Sequence, residues 1–351
     1  MKNDPRLLEP PARKYSETFI CKSTTSLMNC WPGFPTRSGS LVRAGLLQRY
    51  LLLKCLVMFL CLVLFSPVHS ANQKTVCIVK SKTIAPFETA ITGIISVFSK
   101  KHKAIIIKEL DLQKDDVLAD IATLKPDIVL TIGSTATEEI ITKVHNIPVI
   151  FSMVLDPKPD LFQHEKITGV TLDIPIIYYF EKMRHIIPNR KRVGVIYNPK
   201  ENQDYILKAK PIAAAAGFTL VPYPVYSTED IPEIEKLGID ILWLIADKMV
   251  CQTPILKQIL LKCIRSKKAV IGLAPSYTKA GALFSLSSDY EDIGRQTAEL
   301  ALRVLHGESP QAIPASIPRT IRMHLNVVVA EGLGITIPDH ILKSADGIFG
   351  Q

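Results

Sequence analysis

Residues Lys125–Ile140 read KPDIVLTIGSTATEEI, and inside this stretch an apolar run from Ile128 to Ile132 is bounded by Pro126 and Gly133. A short run of that kind predicts a strand buried on both faces, and the amphipathic Thr135–Val144 that follows predicts a helix. Gly133 lets the backbone turn tightly, the Ser134 hydroxyl is placed to cap the helix, and the free N–H groups of the first turn form a small electropositive cup. A carboxylate or other anionic group fits such a cup. The plainer reading is a capped helix in an ordinary strand–helix unit. The functional reading gains weight because the pattern recurs: Pro126-Asp127-Ile128-Val129-Leu130 is answered by Ile239-Asp240-Ile241-Leu242-Trp243.

Working outward, strands are expected at Thr75–Lys80, Ala104–Ile107, Asp127–Ile132 and Pro148–Phe151, separated by helices at Ala85–Lys100, Asp115–Leu124 and Thr135–Val144. This alternation implies parallel crossovers with helices on both faces of a sheet. An aperiodic passage, Met153–Thr171, precedes a helix at Pro175–Ile187, after which the pattern restarts. Strands are expected at Arg192–Tyr197, Phe218–Val221, Asp240–Ile245 and Ala269–Leu273, with helices at Asp204–Ala216, Ile231–Leu237 and Pro254–Ser266. The tail offers Ala282–Leu286 and Thr320–Val329 as strand candidates, an amphipathic helix at Tyr290–Leu305 and a short one at Pro338–Lys343. So short a tail cannot easily build its own doubly wound sheet, so its pieces are expected to complete the other two. The fold class is α/β: two doubly wound Rossmann-like lobes joined by a multi-crossing hinge. The expected boundaries are 74–168 plus about 284–312 for the first lobe, and 169–283 plus about 313–347 for the second.

The amino terminus has the anatomy of an export signal over 41–70. Arg43, Arg49 and Lys54 precede an apolar run from Cys55 to Phe65, and Ser66-Pro67-Val68-His69-Ser70-Ala71 suits cleavage after Ser70. The alternative is an uncleaved anchor at 51–68, with Lys54 snorkelling. Residues 1–40 are polar and aperiodic, and are expected to be disordered or to precede a translation start near Leu41 or Val42. The formal charge of +9 is mostly a property of this leader, where nine Lys and Arg face three Asp and Glu. With no basic run interleaved with aromatics, nucleic-acid binding is not expected. Of seven cysteines only Cys77, Cys251 and Cys263 follow the leader, and their spacing indicates neither a disulfide framework nor a metal site.

Ligands of open α/β sheets bind beyond the carboxyl ends of the strands. The residues expected there are Phe87, Ser134, Thr135, Ser152, Asp156, Tyr197, Asn198 and Asp247, with Ser276-Tyr277 nearby. Aromatic surfaces, hydroxyls and single carboxylates suit holding a small polar solute with an apolar part better than making bonds. Each residue also has an ordinary role open to it. Asp247 can cap the next helix, Asn198-Pro199 can be a turn, Tyr197 and Phe87 can be core, and Asp156-Pro157 can shape its loop. No GxSxG, GKS/T phosphate loop, GxGxxG or HExxH occurs, and neither an enzyme nor a cofactor is expected.

Several short motifs occur in a telling order: Gly133-Ser134-x-Ala136 after an apolar strand, Phe151 to Asp156-Pro157, Thr168-Gly169-Val170, Arg192 to Pro199, Asp247, Gly281-Ala282, Asp289-Tyr290 and Gly294-Arg295-Gln296. In this order the chain resembles the extracytoplasmic solute-binding proteins of ABC transporters, of the tryptophan/tyrosine type, with the type I periplasmic-binding-protein fold. The resemblance implies a monomeric two-lobed clamp that presents a small-molecule solute to an ABC permease with its ATPase. It further implies that Ser134 and Thr135 meet a carboxylate or other polar group, that Asp247 faces an amino or hydroxyl group, and that Tyr197, Asn198 and the loop around Phe87 line the pocket. Two departures stand out: Lys248 where the family often has Asn, and Ala85-Pro86-Phe87 in place of a His-Pro. The expected solute is a small polar molecule, amino-acid-like or anionic, with the extra cation favouring the anionic one. The alternatives are a ligand-sensing module of the same fold feeding a signalling partner, a two-domain nucleotide-sugar enzyme, and a sugar-responsive repressor. The last is opposed by the export signal and by the lack of a helix-turn-helix in residues 1–40.

Overall fold

By its internal contacts the chain divides into two units, residues 1–68 and 69–351, and the architecture belongs to the second. The computed structural model describes Lys54 and residues 73–101 and 105–350. The signal expected at 41–70, its cleavage after Ser70, the alternative anchor at 51–68 and the expectations for residues 1–40 fall outside the described residues, Lys54 excepted. No helix among the described residues is long and apolar enough to cross a membrane.

The first sheet forms from β1 (Lys74–Lys80), β2 (Ile105–Asp111), β3 (Ile128–Ile132), β4 (Val149–Val154) and β5 (Ile167–Thr171), all parallel in the order β2-β1-β3-β4-β5. Helices α1 (Ala85–Lys101), α2 (Val117–Leu124) and α3 (Ser134–Lys143) make the crossovers. After α4 (Ile176–Ile186) come β6 (Arg192–Tyr197), α5 (Pro199–Ala215), β7 (Thr219–Pro224), β8 (Ile241–Trp243), α6 (Thr253–Arg265), β9 (Ala269–Gly272), α7 (Pro275–Lys279) and β10 (Phe284–Ser288). The tail adds α8 (Tyr290–Leu305), β11 (Ile321–Asn326), α9 (Val327–Gly332), α10 (Asp339–Ser344) and β12 (Gly347–Phe349). The second sheet runs β12-β11-β10-β9-β8-β6-β7, with β10 and β11 the antiparallel pair.

Strand periodicity sorts the apolar side chains into cores. Every residue of β3 is buried. Ile128, Leu130 and Ile132 join Val76 and Ile78 in a core covered by α1 and α8, whereas Val129 joins Cys77 and Val79 beneath α2 and α3. The polar member of β3, Thr131, shares a 2.8 Å hydrogen bond with Thr137 of α3, which makes its burial tolerable. The second sheet repeats the scheme: Val193, Val195 and Trp243 face one core and Ile196, Leu242 and Leu244 the other.

Two strands fall across the expected lobe boundaries. The break placed between 168 and 169 lies inside β5, which pairs with β4 from Ile167 to Thr171. Phe284–Ser288, grouped by sequence with the first lobe, pairs with β9 and β11 in the second sheet, while α8 directly after it covers the first sheet. The chain also runs from Ile313 to Ser316 along β5, where the Thr171 N–H donates to Ser316 O and the Ser316 N–H to Gly169 O, both at 2.9 Å. Three segments therefore pass between the sheets: Leu172–Pro175, Asp289 between β10 and α8, and Ile317–Thr320. Elsewhere, Thr320–Val329 is a strand only to Asn326, whose side chain accepts from the Val329 N–H and starts α9. Ile231–Leu237 forms not a helix but a single 3-10 turn over Ile234–Lys236.

Candidate functional site

Between the strand ends of the two sheets lies a cavity of about 270 Å³. Its first-sheet side is Leu155 and Asp156, beyond β4. The crossing segment after β5 contributes Leu172, Asp173 and Ile174, the start of α8 contributes Tyr290, and the second-sheet side includes Asn202, Tyr205, Trp243, Tyr277 and Ser287. Parallel strands end at their carboxyl edges here, which is why loops from distant parts of the sequence meet.

The wall is largely aromatic. Trp243 is fully buried, its ring centroid 5.4 Å from Tyr179 and 5.8 Å from Tyr205. Its Nε1–H has no hydrogen-bond partner among the described residues, an uncommon cost for a buried donor. Burial pushes the phenols of Tyr179, Tyr205, Tyr277 and Tyr290 upward, so all four stay neutral donors at physiological pH.

Two carboxylates supply the ionic character. The Asp156 N–H donates to Asp173 Oδ1 at 2.9 Å. Asp173 is pushed up first by burial, which outweighs that hydrogen bond, and the charge of Asp156 adds to the rise. Met153 (φ 59°) and Asp156 (φ 45°) both occupy the left-handed region, costly for residues with a Cβ, where β4 loses its register with β5. Among the described residues no Lys, Arg or His lines the cavity.

The eight residues singled out from sequence are dispersed. Asp156 lines this cavity, and Ser134 lines a neighbouring one of about 370 Å³ that also includes Leu155 and Asp156. Thr135 is exposed at the same helix start. The helix is not capped by Ser134, which is its first residue. The cap position is Gly133 at φ 89°, and the donor is satisfied from across the sheet, where Ser81 Oγ accepts from the Ala136 N–H at 2.8 Å. The Phe87 ring packs over Gly133, where a Cβ would fall 2.7 Å from Cζ. Ser152 is fully buried and hydrogen-bonded to Thr297 Oγ1 at 2.8 Å.

On the second sheet, Tyr197 is a core residue whose hydroxyl donates to Gln203 Oε1 at 3.0 Å, and the Asn198 side chain caps α5 by accepting from the Lys200 N–H at 3.0 Å. Asp247, 2% exposed, accepts from the N–H groups of Asn198 (2.7 Å), Met249 and Val250 (both 3.0 Å) and from Asn202 Nδ2 (2.9 Å). Its carboxylate is spent tying the loop after β6 to the loop after β8, and it reaches the cavity through Asn202. Lys248 points into solvent and pairs with Glu201 at 3.5 Å, outside the cavity lining. It does not line the cavity, so the reason that Lys248 gave for favouring an anionic solute falls away.

Sequence reasoning passed over Asp173, Asn202, Tyr205 and Trp243. Trp243 carried a signal, as the largest residue in a strand matching β3, but it read as core. The others lie on helices or crossing segments that strand-end logic does not reach. Among the described residues no cluster of three or more His, Cys, Asp or Glu could hold a metal. Burial pushes the thiols of Cys77 and Cys263 up to about 12, far from nucleophilic reactivity.

A family model described as ABC transporter substrate binding protein matches residues 101–348. The tyrosine-binding protein of Clostridioides difficile is 26% identical over 204 residues, or 55% of this chain, and the match spans 58% of that protein's length. A ligand-free, open structure of a substrate binding protein with adhesive properties from Clostridium difficile is similar with a TM-score of 0.68 at 21% identity, covering 79% of this chain and 100% of that one. The structure of an ABC domain in complex with L-Trp from Streptococcus pneumonia is similar with a TM-score of 0.60, also at 21% identity and covering 79% and 100%. At such identities the structural likeness speaks for the fold, which is that of the type I periplasmic binding proteins.

Proposed function

The chain belongs to the family of ABC transporter substrate binding proteins, and from that premise we propose that it is an extracytoplasmic solute receptor. It captures one small molecule between two lobes and delivers it to an ABC permease with its ATPase. The receptor acts as a monomer, reaches its compartment by signal cleavage near Ser70, and performs no chemistry on its cargo.

The observation that carries this reading is the aromatic-walled cavity, lined from both sheets, from the segment after β5 and from the start of α8. A solute held there touches both halves and the chain that joins them, so its binding energy is available to draw the halves together. Leu172–Pro175, Asp289 and Ile317–Thr320 act as the hinge. Asp156, Asp173, Asn202 and Tyr205 meet the solute directly, and Ser134 and Thr135 approach it on closure. Asp247 and Asn198 hold the Asn202 side of the site, while Phe87, Ser152 and Tyr197 keep the strand ends in shape.

A thermal-shift screen of amines, amino acids, small acids and sugars tests the reading. A cognate solute at about 100 times its Kd adds about 2.7 kcal/mol to the stability of the folded state and raises the melting temperature accordingly. A screen in which no small solute moves the transition counts against a receptor.

A further inference from the structure

We propose that the solute's polar end is a cation, an amine or substituted ammonium with no carboxylate beside it, carried on a flat apolar or aromatic body. The assignment rests on the receptor reading and deepens it.

The ionic groups on the cavity wall are Asp156 and Asp173, both negative, and among the described residues no Lys, Arg or His shares that wall. Neither carboxylate has an ion-pair partner within 4.0 Å among the described residues. Lys208 of α5 is the cation whose field reaches Asp173, and it does not line the cavity. Two like charges share this wall, one of them half out of water and held by the Asp156 N–H and Thr171, and neither is paired with a cation among the described residues. A bound cation relieves the repulsion and replaces the lost hydration. A bound carboxylate would add a third negative charge.

The rest of the wall agrees. Tyr205 presents ring surface to the cavity with Trp243 packed beside it, and aromatic faces attract cations as well as flat apolar groups. The unpartnered Nε1–H of Trp243, on a fully buried side chain, is a single neutral donor. It joins the hydroxyls of Tyr179, Tyr205, Tyr277 and Tyr290 on the same wall, all neutral donors that suit a hydroxyl or ether oxygen and bring no positive charge to offset the hydration a carboxylate would lose. The other seat for an anion, the start of α3, opens through Ser134 into the neighbouring cavity, and its Ala136 N–H is already taken by Ser81.

Tyramine, tyrosine and 3-(4-hydroxyphenyl)propionate carry the same phenol ring and differ only in charge. Calorimetric titration of the full chain with each separates the cases. Tyramine is expected to bind at least about tenfold more tightly than tyrosine, and the propionate not measurably. Asp173→Asn and Asp156→Asn should each weaken tyramine binding by about tenfold or more. The unliganded melting temperature should hold, because the amide oxygen introduced by Asp173→Asn can still accept from the Asp156 N–H. Tyrosine or the propionate binding as tightly as tyramine would overturn the charge assignment while leaving the receptor reading standing. So would a variant carrying both substitutions with unchanged tyramine affinity. If none of the three binds, the charge assignment falls, and the wider solute screen decides separately whether the chain is a receptor.

Discussion

At the scale of single residues, the instructive carboxylate is Asp247. A buried Asp at a strand end reads equally well as a ligand group or as a cap, and only its four donors decide between them. Each donor left unpaired costs about 1–3 kcal/mol when buried, less where water can replace the carboxylate. Asp247→Ala is therefore expected to lower stability by about 3 kcal/mol in urea unfolding, with solute affinity falling because Asn202 loses its anchor. Unchanged stability would mean that the turn holds itself. Asp292 offers a second test, this one in pH. Hydrogen bonds from Arg319, then from Thr320 and Arg295, hold its carboxyl down at about 2 against an ordinary 3.8. A depressed folded value means the contribution is whole above 3.8 and drains away as the pH falls toward about 2. The parent should exceed Asp292→Asn by about 1–2 kcal/mol near neutrality, allowing for the solvent that reaches Arg319, and the gap should close by the acid end of that window.

At the scale of elements, the contact between α1 and α8 is made by two glycines facing each other's backbone. A Cβ on Gly93 would stand 2.0 Å from Glu291 O, and one on Gly294 would stand 1.9 Å from Ala90 O. Neither obstacle is a side chain that could swing aside, so the helices would have to separate. Gly294→Ala is expected to cost about 3 kcal/mol or more of stability by denaturant unfolding. An unperturbed midpoint would show that the helices part without loss. The same contact explains why α8, read correctly from its amphipathic pattern, left its destination open. Periodicity shows that a helix has an apolar face, but here the absence of side chains at Gly93 and Gly294 selects the surface that face meets.

At the scale of the whole molecule, the three segments between the sheets are stitched to one another. Ser288 Oγ donates to Leu172 O at 3.3 Å, the Asp289 N–H donates to Thr320 O at 3.1 Å, and Arg322 closes on Asp289 at 2.5 Å. Ser288 and Leu172 also border the cavity, so under the proposed receptor reading a solute that fills it touches this joint. In small-angle scattering the radius of gyration should fall when a cognate solute saturates the protein. An unchanged value at saturation would leave a rigid pocket in place of a clamp.

The sequence by itself determined the alternation of strands and helices, the burial of β3 on both faces, the echo of that unit in the second half, and the strand ends as the place to look. These follow from periodicity and from breakers such as Pro126 and Gly133, which act within a few residues of themselves. Tertiary structure decided which strand-end groups are free to meet a solute. Asp247 spends its charge on four local donors, Ser152 is sealed beneath Thr297, and Lys248 turns to Glu201. Asp156 and Asp173 meet at one wall, with Asn202, Tyr205 and Trp243 completing the enclosure. The physical reason is that a side chain's availability depends on what else has claimed its hydrogen bonds and its water, and those competitors arrive from segments far away along the chain.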